Sequence, residues 1–410
     1  MNTPSPCYAT FKDPVFERYI LAHFDTDKDG KISAEEAAAV TEIDISEFYG
    51  TYPIETQITS FDGIEYLPNL RSLIIVGEKQ FREINLTRLD VSKNKSLSVL
   101  RCVNCNLTQL DLSQNQALTE LDCSHNKLTH LDISPLKNLT KLNCGYNELQ
   151  DLDLSQNTAL TKLECSWNKL THLDISRQKE LSALNCEYNE FIHLDLSQNR
   201  VLTKFSCSWN QLIDLDISQN KILTRLSCSA NKLSKLDISN NTHLTELDCS
   251  ENQLTDLDVS KNTHLTELDC SENQLTSLDV SKNTELTELY CFSNQLPQLD
   301  TSQNKDLTTL GCKKNRLTVL DISQNKLLTT LGCGCNQLTN LDVSPNILLE
   351  KLFCFENKLT YLDLTKNKKL QELWIENNPQ LKEVYVGEDF EAEDLYDFVK
   401  DDFCKIKRSK

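Results

Sequence analysis

The side chains able to do chemistry in this sequence are spaced in two ways. One is a compact oxygen-rich cluster near the N-terminus, and the other is a series of thiols at a fixed interval through the middle. In the twelve residues from Asp25 to Glu36, carboxylates at Asp25, Asp27 and Asp29, the Lys31 carbonyl, the Ser33 hydroxyl and a bidentate Glu36 supply the oxygen shell that a hard divalent cation needs. Gly30 sits where such a loop turns sharply. Ca2+ is therefore the expected ion, in a structural role. Apolar residues at helical spacing flank the loop, Val15 to Leu21 before it and Ala37 to Val40 after, and predict two short helices.

Thirteen of the 17 cysteines, from Cys102 to Cys354, recur every 21 residues. Around each the chain reads approximately L-T-x-L-x-C-S-x-N-x-L-T-x-L-D-[ILV]-S-x-N. Leu118, Leu121, Cys123, Asn126 and Leu128 fit the leucine-rich repeat template, in which each repeat contributes one short parallel strand. Stacking sets equivalent residues about 4.8 Å apart. Parallel Cβ vectors at that spacing lie beyond the roughly 3.5–4.5 Å of a disulfide, so the ladder thiols are expected to stay reduced and buried. The Asn column (Asn126, Asn147 and onwards to Asn378, with Cys105 in the first unit) is expected to turn inward and satisfy backbone groups, and D-x-S-x-N to close the opposite side with an Asx-type turn.

The predicted fold is thus a leucine-rich repeat solenoid, a horseshoe or superhelix. Its parallel β-sheet lines the concave face, short turns and extended segments form the convex face, and a small helical cap starts the chain. Three segments follow: a helical cap over 1–42, the solenoid over 43–383 (irregular to about 96), and a C-terminal cap with a basic tail over 384–410. Ile43 to Ile45, Leu73 to Ile75 and Val384 to Val386 read as strands, the last of these ending the ladder. Asp394 to Phe403 reads as an amphipathic cover, and Lys405, Lys407, Arg408 and Lys410 as a solvated terminus.

From roughly Leu97 to Leu381 the cysteine-bearing repeat resembles the internalin J type of bacterial surface leucine-rich repeat protein. The resemblance implies an extracellular adhesin or host-facing binding role without implying a ligand. The N-terminal loop resembles an EF-hand and one half of a dockerin module. With Ile43 to Leu70 it is similar to the opening of many gut-bacterial repeat proteins.

Three zones stand out on the sheet's outward columns. Tyr146, Trp167, Tyr188 and Trp209 follow the strand cysteines on four consecutive repeats, with Lys141, Lys162, Lys204 and Arg225 at the strand starts. They form either a binding stripe or a self-packed rim. Glu246, Asp248, Glu251, Glu267, Asp269, Glu272 and Glu288 make an acidic zone. Gly311, Gly332 and Gly334 lie between Tyr290 and Phe292 on one side and Phe353, Phe355 and Trp374 on the other. They form either a slot floored by bare backbone or a gap that the aromatics fill.

A formal charge of -19 disfavours nucleic acid and anionic membranes, and no apolar run is long enough for membrane insertion. No nucleophile-and-base or phosphate-loop motif is present, and His172 with His193 or His243 with His264 lack a third ligand. The expectation is a non-catalytic, monomeric protein that binds a protein or glycan, host-derived ligands included, at the cell surface or after secretion. The alternative is a cytoplasmic scaffold or regulatory interaction module.

Overall fold

The structure, a computed structural model, describes residues 8–46, 58–77, 84–86, 88–388, 390 and 395–408. Cys7, Lys410 and Asp394 lie outside them. Contacts divide the chain into two compact units, Met1–Leu202 and Thr203–Lys410.

The first unit opens with α1 (Pro14–Phe24), started by Asp13, whose Oδ1 accepts from the Val15 and Phe16 amides, with proline in the first turn. The other Asp13 oxygen accepts from the Thr59 amide and hydroxyl at 2.7 and 2.9 Å, fastening the helix to the chain that follows. Phe16 is fully buried against Phe11 and Phe61. The second helix, α2 (Ala34–Ala39), begins with a capping box between Ser33 and Glu36. Then come β1 (Glu42–Asp44), β2 (Ser72–Val76), β3 (Val99–Val103), β4 (Glu120–Asp122), β5 (Lys141–Asn143), β6 (Lys162–Glu164) and β7 (Ala183–Asn185), each parallel to the next.

Register follows the 21-residue interval: Leu121, Leu142, Leu163 and Leu184 are successive partners, all buried, while the residues on either side face outward. The strands have only three residues, yet the ladder continues past them. The Cys144 amide donates to Glu164 O at 2.8 Å, Tyr146 N to Ser166 O at 2.9 Å and Asn147 N to Trp167 O at 3.1 Å. Inside the bend, Asn147 Nδ2 donates to the carbonyls of Cys123, Cys144 and Gly145, while its Oδ1 accepts from Leu128 N. Each asparagine thus ties its own repeat to the preceding one. Where Cys105 replaces it, the sulfur reaches the carbonyls of Val103 and, more weakly, Ile75.

On the opposite side, Asp111 Oδ1 accepts from Ser113 N at 2.9 Å, and Asp132, Asp153 and Asp174 do the same two residues on. This is the expected Asx turn. The second amide of that motif proves to be another internal tie: Asn115, Asn157, Gln178 and Asn199 are fully buried and donate to carbonyls of earlier repeats.

The second unit repeats this plan with β8 (Lys204–Ser206), β9 (Arg225–Ser227), β10 (Glu246–Asp248), β11 (Glu267–Asp269), β12 (Glu288–Tyr290), β13 (Thr309–Gly311), β14 (Thr330–Gly332) and β15 (Lys351–Phe353). Its end departs from expectation. The main ladder runs on through β17 (Glu372–Trp374) to β19 (Asp397–Val399), whereas β16 (Leu362–Asp363), β18 (Glu383–Val386) and β20 (Lys405–Arg408) form a separate three-stranded parallel sheet. Val384 to Val386 is therefore neither the last strand nor part of the main ladder. The basic tail, expected as a solvated terminus, is a strand as far as Arg408: each residue of Glu383–Val386 has a register partner in Lys405–Arg408, while the Lys405, Lys407 and Arg408 side chains stay exposed.

All ladder cysteines are buried and free. Burial pushes the Cys312 and Cys354 thiols up to about 12. It sets Cys102 and Cys165 well above the ordinary range, with neighbouring sulfurs adding to the effect. Among the described residues no helix is long and apolar enough to cross a membrane.

Candidate functional site

The residue just before the Asn of each bend has a left-handed backbone: φ is 55° at His125, 55° at Tyr146, 53° at Trp167 and 50° at Tyr188. For residues other than glycine this costs about 1 kcal/mol or more. It is offset because the residue's own amide stays in the ladder, as at Tyr146 and Trp167. The conformation throws the side chain outward beside the strand face, so residues 21 apart stack.

In the first unit the ring centroids of His125 and Tyr146 are 4.1 Å apart, those of Tyr146 and Trp167 5.2 Å, and those of Trp167 and Tyr188 3.8 Å, all within 17° of parallel. The sequence-predicted stripe is therefore a stack whose ring faces cover one another and whose edges meet solvent. His125 opens it, one repeat earlier than the aromatic spacing suggested. Trp209 has the same backbone, with φ 56°, in the second unit.

Beside the stack lies a groove of about 470 Å³. His125, Tyr146 and Trp167 form its rim, and Asp122, Asn143, Glu164 and Asn185, one per strand from β4 to β7, form its floor. Sequence reasoning passed over these four, although they occupy one column two residues before each Ser, Gly or Glu of the bend. Lys141 and Lys162 are register partners on the far side of that column and are exposed. Lys141 is held by Glu120 at 3.0 Å, and Glu120 also accepts from Arg101 Nε at 3.0 Å. Burial works against the Glu120 charge, but Arg101 and Lys141 together hold its carboxyl below the usual range.

In the second unit Lys204 and Arg225 are partners, and Arg225 is bound to Glu246 at 2.8 Å. Glu246, Glu267 and Glu288 share one outward column, and Asp248 and Asp269 share the next. Burial, followed by repulsion from Glu288 and Glu246, pushes the Glu267 carboxyl up, and burial does the same to Asp269. Glu251 and Glu272 occupy the left-handed bend position.

Tyr290, Gly311, Gly332, Phe353 and Trp374 are successive partners in one column. Of the two readings, a bare slot or a gap filled by aromatics, the structure gives the filled gap at two of the three glycines. A Cβ at Gly311 would lie 3.0 Å from the Tyr290 ring, and one at Gly334 only 2.8 Å from that of Phe355. Gly332 alone of the three stays open, its nearest neighbours 3.9 Å from such a Cβ. Phe353 packs edge-on against Trp374 at 5.3 Å, Trp374 Nε1 donates to Asp397 at 3.0 Å, and Lys313 lies over Phe292.

At the N-terminus, carboxylate oxygens of Asp25, Asp27 and Asp29 lie within 4.8 Å of one another, and Asp25 Oδ1 is a buried atom without a hydrogen-bond partner. That orphaned acceptor fits a cation. Glu36 is not in the group: its oxygens accept from Thr26 and Ser33 amides and hydroxyls, with the Ser33 amide leading in drawing its pKa down to about 2. Lys31 and Ser33 keep their places in the loop, the Lys31 ammonium lying over Tyr8 and the Ser33 hydroxyl donating to Glu36.

The Leucine Rich Repeat family matches residues 117–139. The functional domain of InlJ from Listeria monocytogenes, which includes a cysteine ladder, is 36% identical over 92% of this chain and 80% of its own, with a TM-score of 0.79. A leucine-rich repeat protein of Leptospira interrogans is 28% identical over 91% of this chain and 97% of its own, with a TM-score of 0.73. An internalin from Listeria monocytogenes, 23% identical over 83% of this chain and 100% of its own, shares the fold at a TM-score of 0.68. No curated protein matches the sequence.

Proposed function

This chain belongs to the cysteine-ladder leucine-rich repeat family that includes InlJ, and from that premise we propose that it is a non-catalytic recognition protein, secreted or displayed on a bacterial surface, that binds a protein partner in the groove beside Trp167. The observation that carries this reading is the His125–Tyr146–Trp167–Tyr188 stack standing over a polar floor. Stacked aromatic edges next to fixed hydrogen-bonding groups are hot-spot material at protein interfaces. A sugar ring instead wants an open aromatic face, and here the faces are spent on each other. A protein partner is therefore favoured over a glycan. The test compares wild type with Trp167→Ala for retention of cell-surface proteins and of arrayed glycans. Protein retention that the substitution removes supports the reading; glycan retention, or protein retention indifferent to Trp167, refutes it.

The N-terminal loop is read as a structural clip for Ca2+. Asp25, Asp27 and Asp29 would hold the ion, and neutralising their mutual repulsion would brace the start of the solenoid. Glu36 would have to leave Thr26 and Ser33 to join them. A melting temperature that falls on adding EGTA and recovers with excess Ca2+ supports the clip; an unchanged one removes it.

A further inference from the structure

The floor of the groove in the first unit has an internal order. Each of its four side chains uses one oxygen on its own bend: Asp122 Oδ1 accepts from Ser124 N, Asn143 Oδ1 from Gly145 N, Glu164 Oε1 from Ser166 N and Asn185 Oδ1 from Glu187 N, all at 3.1 Å. This fixes which atom remains for a visitor. Asp122 and Glu164 present a second carboxylate oxygen, and Asn143 and Asn185 present an Nδ2 donor. Down the groove the floor therefore reads anion, donor, anion, donor. Adjacent strands are about 4.8 Å apart, so like groups recur every two strands, at about 9.6 Å.

That period matches one repeating polymer. A polyproline II helix has three residues per turn and rises about 3.1 Å per residue, so residues i and i+3 lie on one face about 9.3 Å apart. It makes no internal hydrogen bonds, which leaves its carbonyls able to accept. A β-strand would present same-face side chains about 6.6–6.8 Å apart and would lose register within one repeat.

We propose that this groove is the binding site for a proline-rich, basic polypeptide segment in the polyproline II conformation, running across the strands. Basic side chains at i and i+3 reach Asp122 and Glu164, ligand carbonyls accept from Asn143 and Asn185, and proline rings lie along the edges of His125, Tyr146 and Trp167. Aromatic rims are the general means of holding this helix, because its apolar rings are pre-ordered and lose little entropy on docking. Arg101, which lines one end of the groove beside Asp122, is bound to Glu120, but that carboxylate also holds Lys141, so one positive charge is left over there to oppose a basic ligand. Lys162, exposed on the same strand as Glu164, also opposes it and sets the outer limit of the path. The inference rests on the protein-recognition reading and specifies its partner.

The test measures binding of a fluorescein-labelled decapeptide of prolines with arginine at every third position to the full chain, by anisotropy. Micromolar affinity is expected. Glu164→Gln with Asp122→Asn keeps the bend-capping oxygens and removes only the charges, and should weaken binding about tenfold or more. Lys162→Glu should strengthen it, and the same peptide with arginine at every fourth position should bind about tenfold more weakly. Thermal melts establish that the variants fold. Indifference to arginine spacing, equal affinity for a glutamate version of the peptide, or an unchanged double variant would overturn the proposal. If the peptide fails while Trp167→Ala still abolishes retention of surface proteins, the ligand class is wrong and the recognition reading stands. If Trp167→Ala leaves retention intact, the recognition reading falls with it.

Discussion

The strands around Trp167 and those around Gly332 share one template, three residues long, with an inward leucine, a buried cysteine after it and an asparagine in the bend. Their outward surfaces diverge. In the first unit large rings occupy the left-handed position and stack on each other, leaving a polar trough beside them. In the second, the Tyr290 ring settles over Gly311 in the strand column and the Phe355 ring over Gly334 in the bend, leaving Gly332 open. Removing side chains from a repeat therefore does not make a cleft when the rungs on either side carry aromatics free to lean in. Filling a repeat can make one, when the added rings satisfy each other and stand clear of the strand face.

Four experiments probe this contrast, beginning with the largest expected effect. If the interior is common to both units, Asn147→Ala and Asn336→Ala should be equally damaging. Each strands several buried carbonyls, and together these are worth about 3 kcal/mol or more. Chemical denaturation of the two variants would check this, and a large asymmetry would show that the units are not built alike.

Trp167→Ala breaks two stacked pairs and should cost about 1–3 kcal/mol. An equivalent loss at Phe353, which makes one edge contact with Trp374, should be smaller. Comparing Gly334→Ala with Gly332→Ala sharpens the roofing argument. The first must push the Phe355 ring aside and should cost about 1–2 kcal/mol, whereas the second meets ordinary van der Waals distances and should be close to neutral.

The smallest effect is a pH dependence confined to the acidic strands of the second unit. The folded pKa of Glu267 lies above its ordinary value of 4.5, and that of Asp269 above 3.8, so between those values and the raised ones the folded state binds more protons than the unfolded. Stability must then rise as pH falls through that window. The melting temperature should increase slightly on mild acidification, and Glu267→Gln should flatten the increase. Below it the trend reverses, because turn aspartates such as Asp258, held low by Ser260, lose their hydrogen bonds on protonation.

Much of this architecture could be read before any coordinates. The 21-residue interval placed Tyr146 next to Trp167, predicted free ladder thiols and assigned the asparagine of the bend an inward role, all of which the geometry bears out. The trough floor escaped because its column changes identity from Asp122 to Asn143, Glu164 and Asn185. Its meaning emerges only once the bend is seen to consume one atom of each. The second sheet escaped because Lys405–Arg408 pairs with Glu383–Val386 outside the repeat, where no periodicity announces it.

By itself the sequence determined which residues are neighbours, since a fixed repeat length stacked through parallel hydrogen bonds turns chain distance into spatial distance. Only the tertiary structure decided what those neighbours leave exposed. Whether a ring covers a glycine, stacks on another ring or stands over a groove depends on side-chain torsions and on competing close contacts. Those are settled by packing among several repeats at once rather than by the content of any one.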